Sequence, residues 1–191
     1  MTRLFDIMFS LIGLVILSPV FLLLIIIGYF DTGSSIFRQE RIGKGMKPFR
    51  LMKFRSMHLN APSVATHLAS ASSITPFGVF LRRSKLDELP QLWNVLVGDM
   101  SLVGPRPNLF NQEELINERD SRGVYSIRPG ITGLAQISKI DMSTPQLLAE
   151  TDAKMIQELN TFRYIKYILL TVLGKGFGDR IIKDRSSGLN Q

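Results

Sequence analysis

Residues 7–30, IMFSLIGLVILSPVFLLLIIIGYF, run for 24 positions without a charge. Nothing else in the chain limits its architecture as strongly. A bilayer core takes roughly 20 apolar helical residues to cross, so this segment is long enough to enter a membrane. The apolar core of a secretory signal is roughly 7–15 residues and ends in small residues. Here the run is longer and ends in Gly28-Tyr29-Phe30-Asp31, so it reads as a retained segment. Ser18-Pro19 divides it, with eleven of its residues on either side. Proline inside a helix removes one hydrogen bond and clashes with the preceding turn, which kinks or breaks the helix. At 1.5 Å rise per residue each half spans only ~17 Å, too short to cross alone. Two geometries remain: a kinked helix that spans, or a helix–break–helix that dips in and returns. The pattern by itself favours the kinked spanning helix, the commoner case. Basic residues stand on both sides (Arg3 before, a cluster after), so the positive-inside rule does not choose between them. In either geometry it puts the larger, basic part of the chain in the cytoplasm.

That basic part is concentrated. Arg38, Arg41, Lys44, Lys47, Arg50, Lys53 and Arg55 face a single acid, Glu40, and the whole chain carries a formal charge of +7. Next to a membrane segment such a cluster suits anionic headgroups, at about 1 kcal/mol per basic residue near the surface. Nucleic acid would also accept the charge, but the stretch has few aromatics for stacking bases and no nucleic-acid motif. Cysteine is absent, which excludes disulfides and thiolate metal sites.

Beyond residue 34 the pattern predicts a small α+β unit. Ser35–Gln39 and Lys47–Phe54 read as strands of a hairpin turned at Ile42-Gly43-Lys44-Gly45. Residues 59–76, rich in Ala, Ser and Thr, read as a loop or lid. Ser84–Val97 reads as a helix start with Asp87 as its N-cap, placing Pro90 where its missing N–H is no loss. Asn111–Arg122 is helix-like, Tyr125–Gln136 loop-like, and Pro145–Leu159 a helix with one apolar face. Phe162–Ile182 mixes Tyr164, Tyr167, Leu169 and Val172 with Arg163, Lys166 and Lys175. It suits an interfacial amphipathic helix at least as well as a core helix.

The chemistry concentrates in residues 81–107, LRRSKLDELPQLWNVLVGDMSLVGPRP. Asp87 and Glu88 are adjacent, so on a helix they point roughly 100° apart and can serve different partners. Taken alone the pair reads as a helix cap, because Ser84-Lys85-Leu86-Asp87 fits a capping box. The arginines add a second reading. Arg82 and Arg83 precede the expected helix start, Arg106 lies between two prolines, and Arg128 precedes Pro129-Gly130. Guanidinium forks bind phosphate in bidentate fashion, and a restricted backbone lowers the entropy lost in doing so. Glycosidase chemistry fits poorly, since two carboxyls across a sugar stand roughly 5–9.5 Å apart and neighbours do not naturally supply that separation.

These motifs, together with KFRSM at 53–57, RPGITGLAQ at 128–136, Arg3-Leu4-Phe5-Asp6 and Ser18-Pro19, resemble the bacterial sugar transferase family. Its members are small monotopic polyprenyl-phosphate phosphoglycosyl transferases. The resemblance implies transfer of a sugar 1-phosphate from a UDP-sugar to undecaprenyl phosphate with release of UMP, starting surface-glycan assembly. An N-acetylated hexosamine is the expected sugar. Asp87 is implied as the nucleophile of a covalent phosphosugar intermediate, with Glu88 assisting. Mg²⁺ is the implied cofactor, with Asp87 and, less securely, Asp152 as its ligands. Arg82, Arg106, Arg128, Lys53 and Arg55 are implied to bind substrate. The resemblance also implies that Ser18-Pro19 breaks a re-entrant helix, reversing the preference drawn from pattern alone. Leu134 departs from it, standing where the family often has tryptophan.

The expectation is therefore a mostly helical α+β protein. Residues 1–34 form a re-entrant membrane hairpin, and residues 35–191 a catalytic domain with a β-hairpin and interfacial helices. It lies on the cytoplasmic face of a bacterial inner membrane, with lipids, a UDP-sugar and polyprenyl phosphate as partners, no nucleic acid, and a homodimer left open. A non-catalytic membrane adaptor that keeps only anion binding is the competing class.

Overall fold

The computed structural model describes residues 2–61 and 73–175. The apolar segment forms two helices, α1 (Thr2–Ile16) and α2 (Ser18–Thr32), bent by 64° at Leu17. Pro19 lies in the first turn of α2, where its missing N–H is harmless. Ser18 Oγ donates to the Val15 carbonyl at 2.8 Å, satisfying backbone at the break. Among the described residues no single helix is long and apolar enough to cross a membrane.

Both outer ends of this pair are fastened to the same globular unit. On α1, Arg3 donates to the carbonyls of Val95 and Leu96 at 2.5 and 2.9 Å. Asp6 is buried, and its Oδ1 accepts from Ser101 Oγ (2.9 Å), the Leu102 N–H (2.8 Å) and the Tyr164 hydroxyl (2.6 Å). On α2, Leu24 packs with Phe54 and Leu81, and Asp31 accepts from Thr75 Oγ1 at 2.7 Å. Between these anchors the bend is apolar and bare: Leu11, Ile12, Val15, Ile16, Leu22 and Leu23 are all exposed.

The hairpin forms as the sequence predicts. Strands β1 (Ile36–Ile42) and β2 (Pro48–Phe54) pair antiparallel, with Ile36 opposite Phe54. Alternation along β2 sends Phe49, Leu51 and Lys53 inward and Arg50 outward. Helix α3 (Pro76–Ser84) follows, capped by Thr75, whose hydroxyl accepts from the Gly78 N–H. A Cβ on Gly78 would fall 1.9 Å from the Ser56 carbonyl oxygen, so glycine lets α3 lie against the exit of β2.

Next come a 3₁₀ turn (Leu86–Glu88), α4 (Gln91–Val97), β3 (Ser101–Val103) and α5 (Glu113–Ser121). They lead to β4 (Gly130–Thr132), α6 (Leu134–Ile137), α7 (Pro145–Glu158) and α8 (Thr161–Val172). Strands β3 and β4 pair in parallel; β4 lies in the stretch Tyr125–Gln136 that reads as loop from sequence, and β3 where the pattern predicts no element. Each is only three residues long, too short for alternation to register. The principal core joins Phe49 and Leu51 of β2, Val95 of α4, Leu102 of β3, Met155 of α7 and Tyr164 and Tyr167 of α8. Thus α8 is a core helix on one face. On the other it leaves Phe162, Leu169, Val172 and Leu173 exposed, which keeps the amphipathic reading. The loop reading of residues 59–76 falls largely on 62–72, and the last part of the Phe162–Ile182 helix reading on 176–182, both outside the described residues.

Candidate active site

The dyad does not begin a helix. Ser84 is the last residue of α3, and its hydroxyl donates backward to the Phe80 and Leu81 carbonyls at 2.8 and 3.1 Å instead of capping forward. Lys85 then turns left-handed (φ 60°), and Asp87 and Glu88 sit within the 3₁₀ turn that follows. The capping box is therefore replaced by a C-terminal turn, and Arg82 and Arg83 close α3 instead of preceding a helix start. A positive φ is uncommon for a non-glycine residue, and local patterning gave no sign of it. The break redirects the chain so that both carboxylates are buried, Asp87 at 2% and Glu88 at 9% exposure.

Glu88 is held by two cations. Arg106 Nη2 donates to its Oε1 at 3.0 Å, and Lys53 Nζ lies 3.7 Å from the same oxygen. Lys53 reaches it from the inward face of β2. Arg82 Nε donates to Ser56 Oγ at 2.8 Å, three residues further along that strand's exit. Its Nη1 is buried and, among the described residues, has no hydrogen-bond partner. The structure thus brings Lys53 and Arg106 onto Glu88 beside Asp87, while Arg82 is held at Ser56.

Arg106 is presented by a tightly secured loop. Five successive carbonyls, Gly104 to Asn108, accept from Gln136 Nε2, the Gly130 N–H, Arg119 Nη1, Arg41 Nη1 and the Ile42 N–H, at 2.8–3.3 Å. Gly130 is obligatory here, because a Cβ on it would fall 2.0 Å from the Gly104 nitrogen. With the backbone fixed and two prolines removing φ freedom, the guanidinium is pre-positioned.

Three expected site residues make their hydrogen bonds to groups other than the dyad. Arg128 Nε donates to the Gly98 carbonyl at 2.7 Å, at the C-terminal end of α4. Arg55 donates to the carbonyls of Ser34 and Ile36 and sits 5.5 Å over the Phe37 ring, tying α2 to the hairpin; burial lowers its pKa. Asp152, fully buried on α7, accepts from Arg119 Nη2 and Nε at 2.7 and 3.1 Å. Burial pushes the Asp152 carboxyl up, against the pull of Arg119. The sequence reading passed over Arg119, which is 1% exposed. The one available signal was its spacing of four from Leu115, which puts an arginine on the buried face of α5.

For Mg²⁺ the acid set fits only in part. Among the described residues no three acidic or imidazole side chains converge. Asp152 gives its Oδ2 to Arg119, while its Oδ1 is buried and, among the described residues, without a hydrogen-bond partner; Glu88 is engaged by Lys53 and Arg106. Asp87 stands beside Glu88 on the same turn, and one carboxylate completed by substrate phosphates and water is an ordinary way to hold Mg²⁺.

The sequence profile of the family described as "Bacterial sugar transferase" matches residues 1–176. The chain belongs to that family. It is 36% identical over 180 residues to the UDP-glucose:undecaprenyl-phosphate glucose-1-phosphate transferase of Caulobacter vibrioides, covering 89% of this chain and 67% of that protein. It is 38% identical over 184 residues to the galactosyl transferase CpsE of Streptococcus agalactiae, covering 89% of this chain and 41% of the relative. Over 108 residues it is 48% identical to a Bacillus subtilis protein named "Putative undecaprenyl-phosphate N-acetylgalactosaminyl 1-phosphate transferase", covering 55% of this chain and 60% of that one. The match thus spans about two fifths to two thirds of the length of these relatives.

Proposed function

We propose that this sugar transferase moves a sugar 1-phosphate from a UDP-sugar to undecaprenyl phosphate, with Asp87 as the nucleophile. The observation that carries the reading is the buried turn bearing Asp87 and Glu88, with Lys53 and Arg106 both brought onto Glu88. Family membership and the relatives' names support the substrates. In the first step an Asp87 carboxylate oxygen attacks the sugar-bearing phosphorus of the donor. The bond from that phosphorus to the bridging oxygen breaks, and UMP leaves with the electron pair. In the second, a phosphate oxygen of undecaprenyl phosphate attacks the same phosphorus, freeing Asp87 and giving a diphosphate-linked lipid sugar. Splitting the transfer lets one small site serve a water-soluble donor and then a lipid acceptor.

Arg106, already aimed at the dyad, and the open Nη1 of Arg82 stabilise charge on the phosphoryl oxygens and the leaving UMP. Glu88 holds Lys53 and Arg106 together and keeps both cations oriented beside Asp87. Mg²⁺, bound through Asp87, phosphate oxygens and water, would supply further charge neutralisation. Of the sugars in the relatives' names, we place an N-acetylated hexosamine first, on the 48% identity to the Bacillus subtilis protein.

The helix pair is read as re-entrant, with the catalytic unit on the cytoplasmic face of the inner membrane. Support comes from the anchoring of Arg3, Asp6 and Asp31 to one globular unit, which leaves only the apolar bend to enter lipid. Exposed Val79, Phe80, Trp93, Phe162 and Val172 add an apolar surface suited to the interface.

The test is UMP release from a panel of UDP-sugars with undecaprenyl phosphate and Mg²⁺, for the native chain and Asp87→Asn. Loss of release in the variant, with its lipid binding retained, is expected. Release near the native rate would remove Asp87 as nucleophile, and no release from any donor by the native chain would remove the transferase reading.

A further inference from the structure

The buried pair Arg119–Asp152 lies outside the dyad and takes no part in the steps proposed above. Arg119 uses opposite sides of its guanidinium for two purposes. Nε and Nη2 are fixed by Asp152 Oδ2 at 3.1 and 2.7 Å. Nη1 donates to the backbone carbonyl of Arg106 and to Asn108 Oδ1, both at 2.8 Å. The carbonyl it grips belongs to the residue whose own side chain reaches Glu88 at 3.0 Å. A continuous polar chain therefore runs from α7 through α5 to the dyad: Asp152, Arg119, Arg106, Glu88.

We infer that Arg119 and Asp152 are positioning residues for the Arg106 guanidinium, with Asp152 orienting Arg119 instead of holding a metal. The inference rests on the transferase reading for its effect on rate, but not for its effect on the loop. A buried ion pair is a poor source of stability, since the desolvation penalty of both ions offsets most of their attraction. Its advantage here is geometric. A planar fork clamped on one side by a carboxylate presents its remaining N–H groups in one fixed direction. Lysine could keep the charge but, as a point donor, could not hold both partners. Prolines on either side of Arg106 leave few backbone donors in the loop, so its position depends on groups that grip its carbonyls. Among those, only Arg119 grips the arginine's own carbonyl. A displacement near 1 Å at a pre-oriented group is enough to cost about 100-fold in rate.

The informative variant is the double replacement Arg119→Met with Asp152→Leu, which removes both charges together and keeps leucine on the branched skeleton of aspartate. Apolar replacement of a whole buried pair is usually tolerated by the fold. The expected result is an unfolding midpoint close to native, with UMP release down about 10- to 100-fold in kcat/KM for the UDP-sugar. Hydrogen exchange should be faster in the Gly104–Leu109 segment and unchanged in β2 and α4. In an Arg106→Ala background the same double replacement should cost less than about twofold more, because both changes remove one effect.

Native exchange and native kcat/KM in the folded double variant would overturn the inference, as would losses that multiply with Arg106→Ala. Should the double variant fail to fold, Arg119→Lys decides the matter, with the same loop-confined increase in exchange expected and no increase overturning it. Because exchange is read without substrate, a native chain that releases no UMP removes the transferase reading while leaving this test intact.

Discussion

Replacing Asp6 with alanine should loosen the apolar helix pair from the globular unit. One carboxylate oxygen of Asp6 accepts from a serine hydroxyl, a backbone N–H and a tyrosine hydroxyl, all buried and within 2.9 Å. Alanine leaves all three without an acceptor. A buried donor stranded in this way costs about 1–3 kcal/mol. Ser101 can rotate its hydroxyl toward another acceptor, so the backbone N–H and Tyr164 carry most of the loss, roughly 3–5 kcal/mol together. At 2–4 °C per kcal/mol for a chain of this size, that corresponds to a fall in unfolding midpoint of roughly 6–20 °C in micelles or nanodiscs. Asp6→Asn retains an acceptor oxygen and should lose about half as much. The mechanism is isolated by a cycle with Tyr164→Phe, for which a coupling of about 1–3 kcal/mol is expected. A midpoint for Asp6→Ala within about 2 °C of native, or full additivity with Tyr164→Phe, would refute the reasoning.

Tyr164 also gives a pH dependence. Burial, reinforced by the Asp6 hydrogen bond, pushes its pKa far above the ordinary tyrosine value. Below pH ~10 both folded and unfolded chains hold the proton and the contribution is complete. Above it the unfolded chain loses the proton while the folded one retains it, so stability falls by up to about 1.4 kcal/mol per pH unit. Tyr164→Phe should flatten that alkaline limb, with Tyr125 and Tyr167, also raised by burial, supplying what remains. An unchanged slope in melts from pH 9 to 11.5 would rule the assignment out. Gly130→Ala should cost at least about 3 kcal/mol, because its Cβ would strike backbone atoms of Gly104 at 2.0 and 2.5 Å that no rotamer change can move. UMP release by any folded fraction should fall with it, and a native-like melt would contradict the packing of β3 against β4.

Features carried by local sequence were legible without the fold. The Ser18-Pro19 break falls within a residue of the bend, since proline acts on its own turn. The β-hairpin follows from alternation and a glycine turn, and α7 from apolar spacing. The dyad and its phosphate-type cations stood out because acids, arginines and prolines cluster within 27 residues of chain. What failed was local reasoning about Ser84–Asp87. A capping box and a helix C-terminus that turns left-handed at Lys85 share the same residue types, and only packing against β2 distinguishes them.

Which cations belong to the site was likewise decided by tertiary structure. Lys53 and Arg106 converge on Glu88, while Arg82 is held by Ser56, and Arg55 and Arg128 are engaged by backbone carbonyls. An arginine has the same local signature whether it faces water, a carbonyl or a carboxylate, so sequence supplied the candidates without their assignments. Arg119 makes the point most sharply. It stands in a polar helix among exposed acids, yet it is buried against an aspartate 33 residues away. Sequence determined the long apolar segment with its break at Ser18-Pro19 and the clustering of acids with arginines, because apolar length, proline and residue type act locally. Only the fold determined that both ends of the apolar helix pair meet one unit and that Asp152 grips Arg119. Those contacts join residues remote in sequence, whose pairing is set by burial and hydrogen-bond satisfaction.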